Sequence, residues 1–447
     1  MSTRDERSPA EITIADFAAL PPFRAASEAE LINGDNPFRR PVRPDDLGFL
    51  RYDTPIAPAE ASSLRALIGH RILLNSYETA AHYLRPLHGL GAHDEARIFE
   101  SDDALLHATA CRPHLEKVLL HSLVSSGAQP RDGSAAEARL VDTLKNLADP
   151  QYAYTYLLLQ ESCSRTVWKA LYAGLVHADD TQLTPHLWHT VEAGLKAAIA
   201  REQWAAALSE KWNLATTPRA YWQFYLPSTL AITTHLWSLV QPAADLTSAL
   251  VALSAHARHQ QRRDHTLERL SCALDVDVPN PPAHDIDTVE PLLGDIRSYD
   301  EAGKTQSNVA DTLWIAADNE LDAQLRWADN LNFYIDAGEQ IQSRIDADHL
   351  DIDLDTFIES DDETSTTHVH DDHRLVVIES GEMDFWNNAG RTIHMATGDK
   401  LLIPRARLHG SVVRSGLCTY HQPIISDEMM RVAGIPETQI TPAGYSI

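Results

Sequence analysis

The hydrophobic pattern of this chain changes period once, near residue 346, and that change calls for two kinds of architecture in one polypeptide. From about residue 57 to 345, apolar residues recur at helical spacing. One stretch, through Leu64, Leu67, Ile68 and Ile72 and onward to Tyr83, reads as an amphipathic helix with a single apolar stripe. Further helices are predicted over 113–125, 135–148, 152–176, 185–212, 219–240, 244–273 and 308–344. Ser134 with Glu137 has the spacing of a capping box, and Thr184-Pro185 offers an N-cap followed by proline at the first helical position. The proline-rich stretch 275–303 is expected to be a loop between helices.

Beyond residue 346 the period is two. Leu350, Ile352 and Leu354 alternate with Asp351, Asp353 and Asp355, the pattern of a strand with one wet face. Short strands are predicted at 375–378, 382–386, 392–396, 401–404, 410–413 and 417–421, parted by the turn signals Ser380-Gly381, Asn388-Ala389-Gly390 and Gly398-Asp399. Strands this short and this evenly spaced argue a small antiparallel barrel or sandwich. The expected fold class is therefore α+β and multidomain. It comprises an N-terminal arm over 1–56, a helical region with an expected dimerisation role over 57–130, a helical bundle over 131–345 and a β domain over 346–447.

Charge narrows the partners. The 447 residues carry 37 Lys and Arg against 64 Asp and Glu, a net charge of -27. Such a chain repels a phosphate backbone and has no basic cluster, which excludes nucleic acid and anionic membrane as expected partners. The acidic run over 346–363 contains no Lys or Arg and is expected to be a solvated face. No apolar run approaches the roughly 20 residues that cross a bilayer. The start, MSTRDERSP, lacks a signal-peptide core, so a cytoplasmic enzyme or binding protein is expected. Cys111, Cys163, Cys272 and Cys418 stand singly, without zinc or redox spacing, and are expected to be reduced thiols.

The residues that carry chemistry are histidines. His368 and His370, two apart on one strand, point to the same face, so both imidazoles can reach one ion. His409, from a strand across the sheet, completes a facial set of three. Gly381 follows the pair, and Gly398 is followed by Pro404 and then His409. These two coupled motifs, over roughly 349–425, resemble those of the cupin family, which implies a jelly-roll barrel with a metal in its mouth. Where many cupins place a glutamate ligand this chain has Arg374, beside His373. A guanidinium cannot ligate a metal. Three neutral imidazoles would leave a ferrous ion its full charge and open positions for dioxygen and an anionic substrate, with Arg374 available to hold a carboxylate.

Tyr420 is a further catalytic candidate. His373 is expected to be an exposed turn residue, and Arg405 and Arg407 to be surface arginines. Ala406, where the family often has glycine, costs little unless the backbone there needs positive φ. The same three ligands also suit zinc, nickel, manganese or copper. Another cupin dioxygenase or isomerase, or a non-catalytic ligand-binding cupin, are open alternatives from spacing alone.

A helical domain feeding a C-terminal domain with histidines at 368, 370 and 409 also resembles the two-domain iron enzymes that build the N-nitrosourea of streptozotocin. That resemblance implies a haem-oxygenase-like helical domain whose di-iron site hydroxylates guanidine nitrogens. It implies a cupin that uses Fe(II) and O2 to rearrange the N-hydroxylated, amino-acid-derived product into an N-nitroso group, in natural-product biosynthesis. Among the helices, His186 and Asp311 match the implied di-iron ligands. Gly174, Val176 and His177 stand where a glutamate would be expected, and Ser307 where a late histidine would. Two irons need about six ligands, mostly carboxylates. Iron is therefore expected in the cupin only, with the helical domain a scaffold for a homodimer. An alternative set, His186, His189 and Glu192 with Glu161 and His235, spans about 9 Å of helix axis between its first and third members, too far for one ion.

Overall fold

A computed structural model describes residues 64–80, 102–121, 133–146, 150–164, 167–177, 185–212, 214, 216, 224–241, 246–282, 299–361, 364–370, 372–387 and 391–440. The arm over 1–56, the turn at 388–390 and most of the loop before residue 299 lie outside them. The helices are α1 (Leu64–Ala80), α2 (Asp102–Glu116), α3 (Gly133–Lys145), α4 (Pro150–Cys163), α5 (Val167–His177), α6 (Pro185–Lys211), α7 (Pro227–Ser238), α8 (Leu246–Leu274), α9 (Tyr299–Asp329) and α10 (Leu331–Asp348). None is long and apolar enough to cross a membrane.

The bundle is organised around α7. Residues 227–237 are buried on every side, and the helix packs against α1, α4, α5 and α9. Two of its buried hydroxyls turn back on the helix itself: Thr233 donates to the Thr229 carbonyl and Thr234 to that of Leu230. Helix α1 departs from the amphipathic expectation. Residues 66–77 are all buried, including His70, Arg71, Asn75 and Ser76, because α1 is enclosed by α2 and α7 and offers no wet face.

Several predicted boundaries are corrected. The helix expected over 113–125 begins at Asp102, holds Pro113 in its interior and gives way to a π turn over Lys117–His121. Ser134 lies inside α3, and the buried Glu137 carboxylate lies 2.9 Å from Nδ1 of His265 on α8. The helix expected over 308–344 is two helices, α9 and α10, broken at Asn330 (φ -116°, ψ 47°).

The strands are β1 (Thr356–Ser360), β2 (Thr364–His368), β3 (His373–Ser380), β4 (Glu382–Asn387), β5 (Arg391–Ala396), β6 (Lys400–Ile403), β7 (His409–Val413), β8 (Leu417–His421) and β9 (Ile424–Ile425), followed by the short helices α11 (Asp427–Val432) and α12 (Glu437–Ile440). They form two antiparallel sheets, one ordered β1-β8-β3-β6 with β9 on β3, the other β2-β7-β4-β5, and neither closes on itself. The alternating stretch Leu350–Leu354 is not a strand: left-handed residues at His349 and Asp355 bracket it, and pairing with β8 starts only at Thr356.

Two hydrophobic cores divide the chain, and they meet on one helix. The first gathers the bundle, runs along α9 to Leu325 and takes in Val369 and Leu408 beside the histidines; the second begins at Trp327 and joins Leu331, Tyr334, Ala337 and Ile341 to the inner faces of both sheets. The pattern changes period near 346, but α10 and the end of α9 already belong to the β core. Gly381, at the β3–β4 turn, has φ 94°, and a side chain there would collide with the Leu417 carbonyl.

Candidate metal centre

The backbone brings two of the three expected histidines opposite each other in one sheet, with the third just past its edge. In the antiparallel ladder His368 at the end of β2 lies directly opposite His409 at the start of β7, and His409 is flanked on its other side by Asn387 of β4. The chain then leaves β2 through Val369, and the His370 ring comes to 4.8 Å from the His409 ring, centroid to centroid. The side chain of His368 lies outside the described residues, as does that of His186. Among the described residues there is no cluster of three metal-ligating side chains.

The ring of His409 is held in one orientation. Its Nδ1 lies 2.7 Å from the carbonyl of Arg407, and only the Nδ1–H tautomer can donate to that oxygen, which leaves the lone pair on Nε2. The Nε2 atoms of His409 and His370 are both buried. Phe385 stacks on the His409 ring at 5.8 Å and Trp327 of α9 meets it edge-on at 6.4 Å, an apolar wall that lowers the local dielectric. The His409 imidazole at the start of β7 and the His370 imidazole just after β2, with His368 opposite in the ladder, have the donor chemistry that fits a divalent transition ion.

The loop that delivers His409 is tightly specified. Ala406 sits at φ 57°, so the backbone does require the left-handed conformation that glycine would give freely. Its N–H donates to the His370 carbonyl at 2.8 Å, joining the loops that carry the second and third histidines. From α9, Gln324 is buried and bonds the loop twice: Nε2 donates to the Ala406 carbonyl, and Oε1 accepts from the Leu408 N–H at 3.0 Å. No local signal marks Gln324 in the sequence, because its partners lie more than eighty residues away.

The neighbours of these histidines differ from expectation. His373 is fully buried: Nδ1 accepts the Arg405 N–H at 2.7 Å, and Nε2 lies 3.3 Å from Asp427, so it braces the loop. Burial, with the Arg405 guanidinium adding to it, pushes His373 down to about 4. Arg407 is not a surface arginine but 1% exposed, donating to Gln439 of α12 through Nε and Nη2. Arg374 is occupied: Nε and Nη2 hold Asp372, and Nη1 holds Asp355 and the Gln422 carbonyl. Tyr420 lies on the other sheet, stacked on Phe357, its hydroxyl donating to Glu359 at 2.9 Å.

The helical residues expected to bear on a di-iron site serve other ends. Asp311 accepts from Arg262 at 3.0 Å, Glu161 from Arg263 at 2.9 Å and from Gln260 at 2.6 Å, and Asp264 from Arg201 at 2.9 Å. Glu192 is exposed and pairs with Lys196, and His189 is exposed. The carboxylates of Asp311, Glu161 and Asp264 are thus each engaged by a guanidinium group. Glu161, Arg201 and Gln260 instead form the polar base of a cleft walled by Trp168, Trp204 and Trp212.

No family model matches the chain. Nitrosourea synthase of Streptomyces achromogenes subsp. streptozoticus is 23% identical over 478 residues, an alignment that takes in 94% of this chain and 97% of that protein.

Proposed function

We propose that this chain is a mononuclear non-haem iron oxygenase of natural-product biosynthesis, acting from a cupin-type C-terminal domain on an amino-acid-derived, N-hydroxylated substrate to form an N–N bond or N-nitroso group. The observation that carries the metal is the His370–His409 pair, with His409 held in the Nδ1–H tautomer and His368 opposite it in the ladder. The nitrogen chemistry is supported by end-to-end similarity to an enzyme named nitrosourea synthase. His368, His370 and His409 would hold the ion. Bound there, Fe(II) with open positions would supply the site for O2 and substrate.

The chain's own residues do the rest. Phe385 and Trp327 exclude water from the histidine side of the site. The Arg407 carbonyl keeps the proton of His409 on Nδ1, away from the ligand nitrogen. The bundle, its carboxylates paired with arginines, contributes no second metal in this reading, so the substrate arrives already hydroxylated by another enzyme.

Anaerobic reconstitution of untagged protein with ferrous ion tests the reading. About one equivalent per chain is expected, falling below half when His368→Ala and His409→Ala are combined. The loaded protein is expected to consume O2 with N-hydroxylated arginine analogues and not with catechols. About three equivalents per chain would restore a di-iron site to the bundle, and retention of metal by the double variant would remove the histidine site.

A further inference from the structure

Helix α9 passes from the bundle's core into the second core and touches the histidine loop with two buried residues of one face. Gln324 bonds both the Ala406 carbonyl and the Leu408 N–H, and Trp327, three positions on, presents its edge to the His409 ring. Residues three apart share a helix face, so the two contacts are delivered together. One turn earlier on the same helix, Glu320 accepts from Ser228 at the start of the central helix α7. The face of α9 that reads the bundle's centre therefore continues into the face that holds the loop.

Side chains of that loop are anchored as well, Arg407 on Gln439, Arg405 on Asp427 and Leu408 in the first core, but its backbone has few partners. Between Ile403 at the end of β6 and His409 at the start of β7 the chain has no ladder partner, and it passes through a left-handed alanine. Its backbone is set by the Ala406 N–H to His370, the Arg405 N–H to His373, and the two bonds of Gln324. Of these, only the Gln324 bonds come from outside the β domain. A side-chain amide offers an NH2 donor group and a carbonyl acceptor in one fixed plane, which matches a carbonyl and an N–H two residues apart.

We infer that Gln324 is a positioning residue of the metal centre, by which the helical bundle fixes the backbone that aims His409. The inference rests on the proposed histidine site and extends it: the two domains form one functional unit, with the third ligand's orientation set by a helix of the other core.

The test uses the full chain and Co(II), whose visible absorption reports ligand geometry independently of turnover. Gln324→Met keeps the volume of the side chain and removes both bonds. It is expected to weaken Co(II) binding by about 10- to 100-fold, the usual effect of losing an outer-shell partner, and to change the Co(II) spectrum. It should also speed amide exchange at 404–410 above any change elsewhere in the chain. Gln342→Met, on α10 where the amide bonds only Asp346, is the comparison variant and is expected to change none of these. Wild-type affinity and spectrum in Gln324→Met, with binding lost in His409→Ala, would overturn the positioning role alone. Failure of the wild-type chain to bind Co(II) would overturn the histidine site and this role with it, while exchange at 404–410 would still report whether the amide clamps the loop. Should Gln324→Met not fold, Gln324→Asn, too short to make both bonds, is read by the same three measurements.

Discussion

Ala406 donates its N–H to the carbonyl of His370 at 2.8 Å while holding a left-handed backbone, φ 57°. For a non-glycine residue that conformation costs about 1–2 kcal/mol, against about 0.5–1 kcal/mol of extra chain entropy lost on folding when glycine replaces alanine. Ala406→Gly is therefore expected to stabilise the chain by up to about 1 kcal/mol, read as a rise in Tm. Ala406→Val, with a branched Cβ in the same region, is expected to lower it. A glycine variant less stable than the parent would show that the methyl group's burial outweighs the strain.

In the bundle, Arg263 and Glu161 form a pair whose side chains are 6% and 13% exposed, with Arg201 at 3.9 Å. Removing one partner of such a pair strands the other and costs about 3–5 kcal/mol, more than the pair itself contributes. Arg263→Ala is expected to lose stability on that scale in chemical denaturation, and Glu161→Gln, which can still meet Gln260, to lose less. Neither is expected to change the metal content of the ferrous-loaded chain. A fall in iron with Glu161→Gln would reassign that carboxylate as a ligand.

How far the sequence carries the reader differs between these two regions. His368 and His409 are legible as neighbours because strand pairing sets them opposite each other, whereas His370 lies just past the end of β2 and reaches the His409 ring from the loop. Strands β3 to β8 match their predicted spans within a residue or two, and for β3 to β6 the turn signals at 380–381, 388–390 and 398–399 supply the bounds. What lies between the cores is not legible. Gln324, Arg407 and His373 are polar residues whose partners are set by tertiary packing, so the local pattern gives His373 and Arg407 a surface and gives Gln324 nothing. The alternation at Leu350–Leu354 misleads for the opposite reason: the pattern is present, but no neighbouring strand takes it up. In the bundle, the residue types of a metal site are present, but arginines on α6 and α8 reach its carboxylates, which spacing along one helix cannot reveal.

Arg374 separates a structural role from a substrate-binding one. Its guanidinium hydrogens go to Asp372, Asp355 and the Gln422 carbonyl, ties between the loop after α10, the start of β3 and the end of β8. Arg374→Met is expected to cost about 1 kcal/mol, as a partly screened network does, and to leave Co(II) affinity unchanged. A substrate-binding role would instead appear as a raised KM in Arg374→Lys with Tm preserved.

Glu320 gives the pH dependence a sign. Burial raises its carboxyl to about 7 from the ordinary 4.5, against the opposing effect of the Ser228 hydrogen bonds and Arg407. Between those values the folded chain keeps a proton that the unfolded chain has released, so this group's contribution to stability falls as pH rises through that window and is fully lost above about 7. Buried histidines act in the other direction. His70, held down to about 3, and His373, to about 4, take up protons on unfolding below 6.5, so acid destabilises the fold through them. The two effects separate in a difference measurement, because Glu320→Gln removes the first and leaves the second. The variant's stability advantage is expected to grow between pH 5 and pH 8 to on the order of 2–3 kcal/mol, at about 1.4 kcal/mol per pKa unit. Paired melting curves of the two proteins across that range decide it, and a constant offset would mean that the ionisation of Glu320 does not change between the folded and unfolded chain.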